Sequence, residues 1–100
     1  MYTVRQGSLT IFLFPWEVTS LKITVLMSAY NGARYIRQQI DSVLAQDINA
    51  ELCLLVRDDG SGDGTQRILE EYQQAGMLTW YAGENLGPEK SFWHLIHNAP

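Results

Sequence analysis

From Leu21 onward, continuous apolar runs alternate along the chain with apolar residues at helical spacing. Ile23-Thr24-Val25-Leu26-Met27 is a β-branched run without polar alternation, the pattern of a strand covered on both faces. After the turn-forming Asn31-Gly32, the residues Ile36, Ile40, Val43 and Leu44 share one face of a helix predicted from Ala33 to Gln46. Glu51 to Val56 reads as a second strand and Thr65 to Gln74 as a second helix, with Ile68, Leu69 and Tyr72 turned to the sheet. Asp63 is its expected cap, with Gln66 reaching back as in a capping box. Leu78-Thr79-Trp80-Tyr81 gives a third strand, and Phe92, Leu95, Ile96 and Ala99 begin a third helix. The order β-α-β-α-β-α predicts an α/β fold, a parallel sheet with right-handed crossovers and helices on both faces. Three strands would leave the sheet edges poorly covered, so residues 22–100 read as the N-terminal part of a larger domain.

Residues 1–21 stand apart as a lead outside this core. The apolar stretch Leu9 to Trp16 is far short of the roughly 20 residues that span a bilayer, and Pro15 would interrupt a helix. A poor signal peptide as well, the lead reads as a disordered segment, an extra edge strand or upstream sequence, with peripheral membrane contact through Trp16 as a further option. A net charge of −4 gives no basic surface on which nucleic acid would bind. The single cysteine, Cys53, lies in the second strand and is expected to pack as a small buried hydrophobe in a reducing, cytoplasmic setting.

The three strand ends bring polar loops to one rim: Ser28 to Gly32, Asp58 to Thr65 and Gly83 to Lys90. Ligands bind at this rim in open parallel sheets. The acidic pair Asp58-Asp59 can accept from N–H or hydroxyl donors, the glycines admit a ligand to the backbone, Tyr30 can stack on a flat ring, and Lys90 suits phosphate. A nucleotide satisfies all four.

These residues also carry a resemblance. Val25-Leu26-Met27-Ser28-Ala29-Tyr30-Asn31-Gly32, then Gln39 to Gln46, Val56 to Thr65, and Gly83-Glu84-Asn85-Leu86-Gly87 with Ser91-Phe92 resemble, in order and spacing, the N-terminal portion of family 2 glycosyltransferases. The Asn-x-Gly…Ser-Phe portion is most similar to the bacterial branch that builds O-antigen and capsular polysaccharide, including rhamnosyltransferase-like members. The resemblance implies a Rossmann-like, GT-A type nucleotide-binding part of an inverting enzyme. It implies that Asp59 accepts from the imide N–H of the base, that Ser28 and Tyr30 lie beside a uracil or thymine ring with Asn31 in the same motif, that Asp58 shapes the loop, and that Gly60 belongs to the nucleotide-sugar-binding set. Asn85 and Gly87 would line the sugar-phosphate side, with Lys90 as a phosphate contact and Arg57 positioning the loop. The implied ligand is a UDP- or dTDP-sugar, the acceptor a glycan or lipid-linked glycan. The family's Asp-x-Asp loop, its Mg2+ or Mn2+ ion and its catalytic carboxylate fall outside these residues, so the chain is expected not to catalyse transfer by itself.

Other readings compete. Asp59, Ser61, Asp63, Gly64 and Glu70 fit the ligand spacing of a calcium loop, but a strand precedes them where that motif needs a helix, and Gln66 replaces its hydrophobe. A dinucleotide fingerprint starting at Gly60-x-Gly62 lacks its third glycine, since position 65 is Thr65. A non-catalytic nucleotide-binding or interaction module is the alternative function. His94 and His97 have no third ligand nearby and read as solvent-facing, while Trp80 and Trp93 read as core, with Trp93 also placed to cover the cleft.

Overall fold

The computed structural model describes the backbone of residues 2–6, 9–17 and 22, and all atoms of residues 23–46 and 51–99. Five strands form one sheet in the order β1 (Tyr2–Gln6), β2 (Leu9–Glu17), β3 (Lys22–Ala29), β4 (Glu51–Asp58) and β5 (Thr79–Ala82). β3, β4 and β5 are parallel neighbours. Helices α1 (Ile36–Leu44), α2 (Thr65–Gln74) and α3 (Pro88–Asn98) follow them in turn, which makes the α/β, Rossmann-like order. Where the pattern leaves residues 1–21 as a lead, the backbone pairs β1 with β2 and β2 with β3, both antiparallel, so the hairpin flanks β3 on the side away from β4. Its register with β3 shifts between Pro15 and Glu17, next to a residue that has no N–H to give a ladder.

Alternation along the strands divides the core in two. Val25, Met27 and Ala29 of β3 and Leu54 and Val56 of β4 face Ile36 and Ile40 of α1 and Ile68 and Leu69 of α2. On the opposite face Leu26 packs with Phe92 and Leu95 of α3, and Leu55, Tyr81 and Ile96 close around them. The first two helices thus cover one face, and α3 crosses the other, over β3 and β4. After β5 the chain has changed sides of the sheet, the arrangement that opens a crevice at the strand ends.

Several sequence expectations need correction. α1 begins at Ile36 rather than Ala33, because the Gly32 carbonyl accepts from both Tyr35 and Ile36 and closes a turn first; it ends at Leu44, short of Gln46. β4 runs on to Asp58, and β5 starts at Thr79, leaving Leu78 buried just ahead of it. Cys53 is half-buried. Trp93 is 57% exposed, outside the core, whereas Trp80 packs against the α1–α2 side. His94 and His97 are exposed; His94 Nδ1 pairs with the Tyr81 hydroxyl, and His97 Nδ1 with the Trp93 carbonyl.

The residue that caps α2 is Gly64, not Asp63. Asp63 instead ties two loops together: Oδ1 accepts from the Thr65 N–H and hydroxyl, and Oδ2 accepts from the Ala33 N–H at 3.2 Å. Gln66 does not complete a capping box; its amide donates to Asp58. Partial burial pushes the Asp63 carboxyl up, but the hydrogen bonds from Thr65 and Ala33 outweigh it and hold the group below the usual carboxylate range. A depressed folded value adds stability above the unfolded value and loses it as pH falls through the folded one. The stability difference between the native chain and Asp63→Asn should therefore shrink from about pH 5 downward in urea titrations. A difference independent of pH would remove this role.

Candidate functional site

The site is built where β3, β4 and β5 end. Asp58 ends β4 and Asp59 follows it, and both are buried. Asp58 faces its own loop: Oδ2 accepts from the Ser61 N–H at 2.9 Å and from Gln66 Nε2 at 2.8 Å, and Oδ1 accepts the Ser61 hydroxyl. Gly60 lies between these partners with φ +83°, a left-handed conformation that suits glycine, and a Cβ there would stand 3.1 Å from the Asn85 nitrogen. The Asp58 carbonyl accepts from the Gly83 N–H, and the Asp59 N–H donates to the Ala29 carbonyl, so backbone bonds join all three strand ends.

A second set of bonds stitches the loop after β3 to the loop after β4. The Asn31 N–H donates to Ser61 Oγ at 2.9 Å, and Asn31 Oδ1 accepts from the Gly62 N–H at 2.8 Å. Asn31 holds φ at 47°, a conformation that asparagine tolerates better than most residues. The Gly32 N–H donates to Thr65 Oγ1 at 3.0 Å, next to the Ala33–Asp63 bond.

On the α3 side the site is organised by Arg57, which is 1% exposed. Nη1 donates to Asp59 Oδ1 at 2.6 Å and to Ser91 Oγ at 3.0 Å, and Nη2 donates to the Glu84 carbonyl at 3.0 Å. The Ser28 hydroxyl donates to Ser91 Oγ at 2.7 Å. Asp59 Oδ1 also accepts from the Leu86 N–H at 2.8 Å, and Oδ2 accepts from the Gly87 N–H at 3.0 Å. A carboxylate offers about four acceptor positions. Three are filled here, which leaves one on Oδ2.

The structure thus brings Ser28, Asp59 and Gly87 into one buried network and Asn31, Asp58 and Gly60 into the adjoining stitched loops. Tyr30, 38% exposed, and the exposed Asn85 and Lys90 stand on the rim. Gly87 spends its N–H on Asp59, so that donor is engaged from inside the protein. The hub residue Ser91 stands out in the sequence through the Ser91-Phe92 pair of the resemblance, with no site role assigned to it. The calcium-loop reading dissolves: Asp59 turns to Arg57, and Glu70 accepts from the Trp80 indole at 3.1 Å. Among the described residues no group of three or more His, Cys, Asp or Glu side chains converges as a metal site.

Known proteins match the same part of the chain. Residues 24–99 match the sequence profile described as Glycosyl transferase family 2. An uncharacterized glycosyltransferase of Nostoc sp. (strain PCC 7120 / SAG 25.82 / UTEX 2576) is 39% identical over 54 residues, covering 54% of this chain and 16% of its own length. One from Rickettsia typhi (strain ATCC VR-144 / Wilmington) is 40% identical over 76 residues, covering 76% of this chain and 23% of its own. The chain spans less than a quarter of the length of these relatives. No solved structure matches it significantly.

The network makes a demand on Gly83, where a Cβ would collide with the Arg57 guanidinium. That guanidinium is held by Asp59, Ser91 and Glu84 and has nowhere to retreat. Gly83→Ala should cost about 1–3 kcal/mol. Gly62→Ala, with open space around it, should change stability by less than about 0.5 kcal/mol. Urea midpoints of the two variants compare them directly, and equal midpoints would refute the constraint.

Proposed function

Because the chain belongs to glycosyl transferase family 2, we propose that residues 22–100 form the nucleotide-binding, N-terminal part of a GT-A glycosyltransferase domain and hold the donor sugar's nucleoside diphosphate at the strand-end rim. The observation that carries this reading is Asp59, a buried carboxylate at the end of a central strand with a single acceptor position left on Oδ2. The imide N–H of uracil or thymine is a matching donor. Tyr30 is exposed at the adjoining loop and offers its face to the base, while Asn85 on the third loop and Lys90, which lies in the first turn of α3 rather than in that loop, serve the diphosphate. The donor in this reading is a UDP- or dTDP-sugar.

Transfer to a hydroxyl acceptor needs a base and neutralisation of the departing diphosphate. Asp58 is bonded to Ser61 and Gln66, and Asp59 to Arg57, Leu86 and Gly87, so neither is assigned the base role. The family's Mg2+ or Mn2+ has no fitting donor set among the described residues, so no step is routed through it. The role assigned to these residues is donor binding. The acceptor in this proposal is a cell-surface polysaccharide or O-antigen precursor, glycan or lipid-linked, in the manner of rhamnosyltransferase-like members. No helix among the described residues is long and apolar enough to cross a membrane. The proposal places the chain in the cytoplasm, in peripheral contact with the membrane face that presents such an acceptor.

Calorimetric titration with UDP and dTDP tests the reading. Both should bind, and Asp59→Asn should weaken them by about 1–3 kcal/mol by removing the charge from the accepting group. Absence of binding to the native chain, or unchanged affinity in a folded Asp59→Asn variant, would reject it.

A further inference from the structure

A fully buried cation is an unusual occupant of a strand position whose neighbour on the same face, Leu55, packs against α3. Arg57 stands there although its Nε is buried without a hydrogen-bond partner among the described residues. Its two terminal nitrogens reach three different segments: Asp59 beyond β4, Glu84 in the loop after β5, and Ser91 on α3, through which Ser28 of β3 is also joined. The guanidinium fork fixes these directions together, which an ammonium point charge cannot do.

The consequence lies in which carboxylate oxygen of Asp59 is left for a ligand. Arg57 and the Leu86 N–H fill Oδ1, and Oδ2 has only the Gly87 N–H. Resting on the donor-binding reading above, we propose that Arg57 is the positioning residue that sets base selectivity: it locks Oδ1 and so leaves for the base the one unfilled acceptor position of Oδ2, beside the Gly87 N–H. Uracil and thymine offer an N–H at the ring position concerned. Cytosine has an acceptor lone pair there and meets the carboxylate unfavourably. Selection by such a group comes from leaving the wrong partner unpaired as much as from rewarding the right one.

The test compares affinities for UDP and CDP, which share ribose and diphosphate and differ in the base. The native chain should favour UDP by about 10- to 100-fold. Arg57→Lys keeps a cation but loses the fork; it should bring the UDP/CDP ratio to within about threefold of unity while CDP affinity changes by less than about threefold. Ser91→Ala, which removes an acceptor of Nη1 without touching a charge, should lower the ratio in the same direction and decides the matter if Arg57→Lys does not fold. Circular dichroism identifies the folded variants. A native chain that binds UDP and CDP equally would reject the imide contact itself, and this inference with it. A selective native chain with unchanged ratios in the folded variants would overturn the role of Arg57 alone, as would equal losses of UDP and CDP affinity, the mark of a purely structural role.

Discussion

The buried ion pair between Arg57 and Asp59 is the interaction on which the rest of the strand-end architecture depends. Removing both charges from water is costly, and mutual attraction alone does not reliably offset it. Here most of the remaining bonding capacity is also spent inside: Ser91 and the Glu84 carbonyl receive the guanidinium, and the Leu86 and Gly87 N–H groups serve the carboxylate, while Arg57 Nε and one acceptor position of Asp59 Oδ2 have no partner among the described residues. Those two N–H groups lie at the entry to α3, where a helix leaves donors unsatisfied and favours an anion. Asp59 is thus an internal anion at a helix start as well as the partner of Arg57.

A change of sides in the chain turns this pair into a site. α1 and α2 pack on one face of the sheet, and α3 returns across the other, so the loops after β3, β4 and β5 converge at one rim. Two independent stitches hold that rim. Asn31, Thr65 and Asp63 bind the first loop to the second, and Arg57 with Asp59 binds the second to the third. Backbone donors that would otherwise be free to a ligand, at Gly32, Ala33, Gly62 and Gly87, are used in the stitching. In the proposed donor-binding role, recognition therefore falls to side chains on the rim and to the last acceptor position of Asp59.

Local signals made most of the fold legible. The β-branched run before Ser28 and the apolar run before Arg57 report strands covered on both faces, and the spacing of Ile36, Ile40, Ile68 and Leu69 reports the faces those helices bury. Asp58, Asp59 and the glycines after them marked the strand end as the place for chemistry. What the sequence hid was pairing over distance. Nothing local shows that Asn31 will bond Gly62, that Ser28 will meet Ser91, or that Asp63 will serve Ala33 instead of capping α2. The start of α1 was misread because Gly32 accepts twice and makes a turn from residues whose spacing suits a helix. An extra edge strand is one of the readings the sequence leaves open for residues 1–21, and the pattern does not single it out, since antiparallel pairing needs no crossover helix to announce it.

The last turn of α2 carries one further consequence. Gln73 Oε1 accepts the backbone N–H of Trp80 at 2.8 Å, while Glu70 takes the indole N–H of the same residue. β5 is the outermost strand on its side and has only four residues. A glutamine side chain thus stands where the backbone of an approaching chain would dock, on a strand already too short to offer a long ladder. One backbone donor of this outer strand is thereby engaged from within the chain, by a side chain that carries no charge.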